Sequence, residues 1–258
     1  MKKILIAGST GNVGSNLFNK ISNHPDYIPV ETRRSDLKEH HEYLDLTKKI
    51  NINFLKYSYL IIAAAMTKIK DCEENEEISY KINVTKTIEL IKAAQDKGCF
   101  VVFLSSNNVF DCKHPNYKFD DKTCPSNIYG RHKVLGEEYI QNNYFNNSCI
   151  LRLTKILKSQ NNAFIENWEI SAKNLGYFNV LKNYFLSPLS LDDVSDSIIE
   201  CIKYKKNGLF QKGGANEISY LDYAKKYYRD RPEMLKKINI IENKPRYGSL
   251  ITRLPSSI

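Results

Sequence analysis

The chain has 258 residues, of which 42% are apolar and 26% charged, with a formal net charge of +9. That is long enough for one large domain or a domain with a smaller appendage, and the composition is that of an ordinary soluble globular protein. No run approaches the ~18–20 apolar residues of a membrane span, and the lysines form no dense basic block with interleaved aromatics, so neither a membrane nor a nucleic acid is expected as a partner.

Met1-Lys2-Lys3 leads into a short strand rather than a signal peptide, and a cytoplasmic location is the expectation. The six cysteines (Cys72, Cys99, Cys112, Cys124, Cys149, Cys201) contain no CxxC and no Cys/His cluster with ligand spacing. Free, mostly buried thiols and no metal site are expected.

The first strand spans 3–7 and runs straight into Gly8, Ser9, Thr10, Gly11, Asn12, Val13 and Gly14, followed by a helix over 15–21. Glycines three apart between a strand and a helix let the backbone turn tightly, approach a diphosphate and present helix N-terminal amides to it. Dinucleotide binding is the reading, with a plain tight turn as its alternative. The second strand, 27–32, is followed by Arg33 and Arg34. An arginine there suits a 2′-phosphate, so NADP(H) is favoured over NAD, whereas two solvated loop arginines are the bland reading.

A third strand is expected over 43–47, containing Asp45 and Leu46, and an entirely apolar fourth over 59–65, ending in Ala63, Ala64 and Ala65. A long amphipathic helix over 74–95 follows, with Ile78, Ile82, Leu90 and Ile91 on its apolar face and Lys97-Gly98 stopping it. The fifth strand, 100–104, leads into Ser105 and Ser106. Later elements are a helix opening at Tyr129, a strand over 148–153, a helix over 163–175, a strand over 178–181, a capped helix over 191–204, a strand over 208–211 and a helix over 219–229. The tail from 244 reads as loop. Strands alternating with helices imply an α/β, doubly wound parallel sheet of the Rossmann kind with a smaller C-terminal lobe, ligands lying at the strands' carboxyl ends. The expected division is 1–155 for the dinucleotide-binding domain and 156–258 for the smaller substrate-binding portion, parts of which (about 176–207) pack back on the first.

Tyr129 and Lys133 stand at i and i+4 on one helix face, and Ser106 at the end of the preceding strand, so a phenol, an ammonium and a hydroxyl can converge. This suggests proton transfer coupled to hydride transfer. A nearby ammonium favours the phenolate, and a serine can hydrogen-bond an oxygen that gains charge. The spacing alone is one that chance produces in a chain with 17 tyrosines, and its weight comes from Ser106 and the glycine-rich turn. His132 lies on another face and reads as structural. Arg152, ending an apolar strand, reads equally as a diphosphate ligand and as a cap.

Taken together, these residues resemble the extended short-chain dehydrogenase/reductase family, most closely its dTDP-4-dehydrorhamnose reductase branch. The resemblance rests on Gly8-x-x-Gly11-x-x-Gly14, Asp45-Leu46-Thr47, Ala63-Ala64-Ala65 with Thr67 and Glu73, Asn83, Ser105-Ser106 before Val109-Phe110-Asp111, Asn127-x-Tyr129-Gly130-Arg131-x-Lys133, Gly136-Glu137, Leu151-Arg152 and Lys244-Pro245-Arg246. It implies Ser106 as the catalytic hydroxyl, Tyr129 as proton donor and Lys133 as the lysine holding the nicotinamide ribose. Asp45 and Leu46 would lie near the adenine, and Ala65 and Thr67 along the nicotinamide and sugar, with Asn107 and Arg152 as further substrate contacts.

The implied function is NAD(P)H-dependent reduction of the keto group of a nucleotide-activated deoxy sugar, in the supply of surface-polysaccharide sugars. A homodimer stays open, as do an epimerase and a non-catalytic NADP-binding regulatory subunit. Asn107-Asn108 replace the branch's usual Asp-Tyr, Lys70 its Asp, Phe119 its Glu, and Lys155 an aromatic that often touches the sugar. The absence of Asp-Glu after Ser106 speaks against 4,6-dehydration, which needs its own acid and base.

Overall fold

The computed structural model describes residues 1–157 and 163–257. The first apolar run forms β1 (Lys2–Ala7), and α1 (Asn12–Ser22) begins directly beyond the glycine-rich turn. β2 (Tyr27–Arg33), β3 (Glu42–Tyr43) and β4 (Tyr59–Ile62) follow. Behind β4 the helical stretch is divided into α2 (Ile69–Glu74), α3 (Glu76–Tyr80), a π-helical segment (Lys81–Lys86) and α4 (Thr87–Gln95). Next come β5 (Phe100–Ser106), α5 (Ile128–Asn143), β6 (Ser148–Leu153) and α6 (Ala163–Leu175). β7 (Phe178–Leu181), β8 (Tyr184–Leu186), α7 (Leu191–Tyr204), β9 (Gly208–Lys212), β10 (Ile218–Ser219), α8 (Tyr220–Tyr227), α9 (Pro232–Leu235), β11 (Ile238–Ile241) and β12 (Arg246–Tyr247) complete the chain.

Seven strands form one sheet in the order β3-β2-β1-β4-β5-β6-β9, with every neighbouring pair parallel. The strand order turns back on itself between β1 and β4, and a crevice opens at their carboxyl ends. The period of two in each strand separates two cores. Ile4, Ile6, Ile61, Val102 and Leu151 meet Leu17 and Ile21 of α1 and Val194, Ile198 and Cys201 of α7. Leu5, Ala7, Leu60, Ile62, Val101 and Phe103 face the opposite way, onto Leu90, Ile91 and Ala94 of α4. Both sheet faces are covered, which is why these strands read as unbroken apolar runs. No helix of the described residues is long and apolar enough to cross a membrane.

The C-terminal elements carry an apolar cluster of their own, built on Trp168, Phe178, Val180, Leu221, Tyr228 and Met234. Two-residue strands such as β10 and β12 pair with β8 from distant parts of the chain, and β11 pairs in parallel with β7. The tail is therefore partly strand rather than loop. Between these pieces α7 and β9 return to the large sheet.

Three other elements differ from the sequence reading. The strand expected over 43–47 stops at Tyr43, because Asp45 Oδ1 accepts hydrogen bonds from Thr47 N–H (2.9 Å) and Oγ1–H (2.7 Å) and so closes a local turn instead of a ladder. The strand expected over 59–65 stops at Ile62, and Ala63–Ala65 leave the sheet. Met66 beyond them is held at both backbone groups by Asn83, whose Oδ1 accepts from Met66 N–H (2.8 Å) while its Nδ2 donates to Met66 C=O (2.9 Å). The helix expected over 74–95 starts earlier, breaks at Asn75 and widens into the π-helical segment that carries Asn83. Ile78 is 52% exposed, not on the apolar face.

Candidate active site

The glycine-rich turn is shaped by close backbone approach. Gly8 has φ +90°, and a Cβ there would lie 2.6 Å from Ala64 N; a Cβ at Gly14 would lie 2.2 Å from Gly8 O. Neighbouring strands lock the turn through two hydroxyls. Thr32 Oγ1 accepts from Gly8 N–H (3.1 Å) and donates to Ile6 C=O (2.9 Å), and Ser9 Oγ donates to Thr32 C=O (2.8 Å). Neither Ser9 nor Thr32 was singled out from the sequence, where a hydroxyl inside a turn and one near a strand end are the only signals.

Two clefts sharing Gly8, Gly11, Ala63 and Ala65 make one groove across the carboxyl edge of the sheet. One end, about 380 Å³, holds Thr10, Arg33, Arg34, Asp45, Leu46 and Ala64. Arg33 is already engaged: its Nη2 and Nε donate to Glu31 Oε2 at 2.8 and 3.0 Å, and His41 Nε2 lies 3.0 Å from the same oxygen. Arg34 is exposed at the cleft. The Asp45 carboxyl is held below its ordinary range, first by the Thr47 backbone and side-chain hydrogen bonds.

The other end, about 460 Å³, holds Asn12, Val13, Gly14, Thr67, Ser106, Asn107, Tyr129, Lys133 and Lys155. Tyr129 sits in the first turn of α5, whose opening is fixed at two amides. Asn127 Oδ1 accepts from Gly130 N–H (2.8 Å) and Glu73 Oε1 from Ile128 N–H (2.8 Å), both acceptors serving donors that a helix start leaves unpaired. Lys133 follows one turn later. Its Nζ donates to Leu104 C=O at 2.8 Å and lies 5.7 Å from the Tyr129 ring centroid. Ser106, the last residue of β5, caps the next turn through its Oγ.

Burial controls the titration of this group. It lowers Lys133 to about 8, with Glu137 as the largest opposing influence. It raises Tyr129 well above the ordinary phenol range, Cys72 adding to the rise and a hydrogen bond from Ser106 opposing it. The sequence reading expected Lys133 to draw the phenol down. The ammonium instead turns to the Leu104 carbonyl, and desolvation of the phenolate outweighs it.

Arg152 does not reach the groove. Its Nη2 and Nε bind Glu137 Oε2 and Oε1 at 2.7 and 3.0 Å, Nη1 donates to Phe119 C=O (3.1 Å), and both side chains are almost fully buried. Ser105 Oγ donates to the same carboxylate. The expectation of Arg152 as a substrate contact is corrected to a core ion pair. His132 is buried beside Tyr80, its Nδ1 without a hydrogen-bond partner, and burial lowers its pKa, as befits a neutral packing residue.

The sequence matches the RmlD substrate binding domain over residues 1–247. It is 24% identical over 249 residues to the dTDP-4-dehydrorhamnose reductase of Escherichia coli (strain K12), covering 92% of this chain and 83% of that one. It is 28% identical over 155 residues to the methionine adenosyltransferase 2 subunit beta of Bos taurus, covering 59% and 46%. Among solved structures, the dTDP-4-dehydrorhamnose reductase of Bacillus anthracis str. Ames in complex with NADP superposes with a TM-score of 0.79 at 22% identity, covering 98% of this chain and 90% of that one. With a match over nearly its whole length and the same α/β fold, the chain belongs to the family of the RmlD substrate binding domain.

Proposed function

We propose that the protein is an NADPH-dependent reductase of a nucleotide-linked keto-deoxy sugar of the dTDP-4-dehydrorhamnose type. The observation that carries this is the convergence of Ser106, Tyr129 and Lys133 at one end of a groove whose middle is the glycine-rich turn. The residues fit a dinucleotide: the turn has no room for Cβ atoms at Gly8 and Gly14, its backbone can approach a diphosphate, and Arg34 stands exposed at the end where a 2′-phosphate would lie. Bound there, NADPH would supply the hydride.

The chain's own residues then handle the proton. Tyr129, kept protonated by burial, gives its proton to the oxygen of the reduced carbon, and Ser106 donates a hydrogen bond to that oxygen as charge gathers on it. Lys133 faces the resulting phenolate with its ammonium. Thr67 and Asn107 wall the sugar side of the cleft.

Loss of 340 nm absorbance on mixing the protein with NADPH and dTDP-4-dehydrorhamnose tests the reading. Tyr129→Phe is expected to bind NADPH and turn over nothing, and full activity in that variant refutes the mechanism. A non-catalytic nucleotide-binding subunit is the second reading, favoured by the likeness to the methionine adenosyltransferase subunit. It predicts NADPH binding without oxidation for any keto sugar.

A further inference from the structure

The proposed reduction requires Ser106 to donate a hydrogen bond to the substrate oxygen through its single O–H, yet a serine hydroxyl accepts as readily as it donates. Its surroundings decide which. Asn108 makes two hydrogen bonds to Ser106 Oγ, from its backbone N–H at 3.2 Å and its side-chain Nδ2 at 3.0 Å, which fills both lone pairs. On the other side, at 3.3 Å, is Asn107 Oδ1, which can only accept.

An asparagine amide can be turned over, exchanging its oxygen and nitrogen, unless its partners forbid it. Here they do, because both ends of the network are backbone groups. Gly130 N–H donates to Asn127 Oδ1 at 2.8 Å, which leaves Asn127 Nδ2 to donate to Asn108 Oδ1 at 3.2 Å and Asn108 Nδ2 to face Ser106. At the far end the Gly248 carbonyl takes Asn107 Nδ2 at 3.0 Å, which leaves Asn107 Oδ1 to face Ser106. All five hydrogen bonds run one way, from the helix amide of Gly130 to the carbonyl of Gly248. Turning over any one member sets two donors or two acceptors against each other. The spacing is tight as well, since a Cβ at Gly130 would lie 2.0 Å from Asn108 O.

The geometry points to Asn127 and Asn108 as positioning residues that hold Ser106 as an obligate hydrogen-bond donor toward the reacting oxygen, with Asn107 Oδ1 as the acceptor that oxygen displaces. The inference rests on the reductase reading and deepens it. Since the lone pairs of Ser106 are occupied, its hydrogen bond with Tyr129 can run only from the serine to the phenol oxygen, and the phenol's own proton stays directed at substrate.

Asn127→Asp tests it from two residues away. Aspartate still accepts from Gly130 N–H and caps the helix as well as asparagine does, but it has nothing to donate to Asn108, whose amide then turns its oxygen to Ser106 and takes the proton. Asn108→Asp does the same directly. In each variant kcat with NADPH and dTDP-4-dehydrorhamnose is expected to fall about 100-fold, the scale of losing one oxyanion donor. NADPH affinity by fluorescence stays near wild type, and neither substitution costs anything further in a Ser106→Ala background.

Unchanged kcat in both variants, or losses that persist in full without Ser106, overturn the inference. A wild-type protein that turns over nothing overturns the reductase reading instead. The network is then read without activity, from the side-chain amide resonances of Asn108 in 15N NMR, identified by their loss in Asn108→Asp. They are expected to shift in Ser106→Ala and in Asn127→Asp, and resonances that stay in place refute the network.

Discussion

Glu137→Gln removes the charge that faces Arg152 and changes little else in size. The pair's side chains are 2% and 3% exposed, and the guanidinium binds both carboxylate oxygens. After the substitution Arg152 keeps one neutral amide oxygen in place of the carboxylate, the Phe119 carbonyl and the face of the Phe110 ring, 5.0 Å away. None of these supplies a counter-charge. Breaking a buried pair from one side costs about 3–5 kcal/mol, because the remaining ion stays desolvated. At roughly 2–4 °C per kcal/mol for a domain approaching this size, Tm is expected to fall by about 6–20 °C. Replacing both partners with Glu137→Leu and Arg152→Met removes the stranded charge and is expected to be milder than either single change. Guanidinium titrations of the four proteins measure this directly. A loss below about 1 kcal/mol in Glu137→Gln refutes the reasoning. So does an Arg152→Met variant of unchanged stability whose KM for the sugar nucleotide rises, which would return Arg152 to the substrate site.

Three other outcomes follow from the site. Lys133 has a folded-state pKa of about 8, below the ~10.4 of an unfolded lysine, so the unfolded chain binds the extra proton between those values and stability from this group rises with pH across that window. Relative to Lys133→Met, the wild type is expected to gain about 1.4 kcal/mol per pH unit from pH 8 toward 10, and a flat difference refutes it. Gly14→Ala places a methyl 2.2 Å from Gly8 O and is expected to weaken NADPH binding at least about tenfold, or ~1.4 kcal/mol, by fluorescence titration. Thr32→Val takes the acceptor from the half-buried Gly8 N–H and is expected to cost about 1 kcal/mol, the low end for an unsatisfied donor, read as a lower denaturation midpoint.

What the sequence disclosed was what is decided within a few residues. The bounds of β6, α6, β7 and α7 agree with the reading because each is set by a local signal, such as the capping box in which Ser190 and Asp193 satisfy each other ahead of α7. The glycine-rich turn and the Tyr129–Lys133 turn are likewise matters of spacing. β8, β10 and β12 were unreadable because strands of two or three residues have no period and exist only through distant partners. Arg152 misled for the same reason. An arginine ending a strand looks like a ligand until Glu137, fifteen residues earlier and on a helix, is brought against it.

The phenol shows how residues that the fold brings into one cleft can differ electrostatically from what their spacing suggests. From the sequence, a lysine one turn from a tyrosine reads as an aid to ionisation before the reaction. Burial changes the order of events. The proposed reduction would need Tyr129 protonated when hydride arrives, and desolvation favours that form across the neutral range. The ammonium is then of most use afterwards, when the phenolate exists and has lost water's help. Its own lowered pKa sets a limit on that use, because above about pH 8 Lys133 is increasingly neutral and the phenolate stands without a counter-charge. Turnover is therefore expected to decline above about pH 8 even though Tyr129 itself keeps its proton, and in Glu137→Gln, where the influence holding Lys133 up is gone, the decline is expected to begin at lower pH. A fall in kcat that starts only near the ordinary phenol range would mean that ionisation of Tyr129, and not of Lys133, limits the reaction.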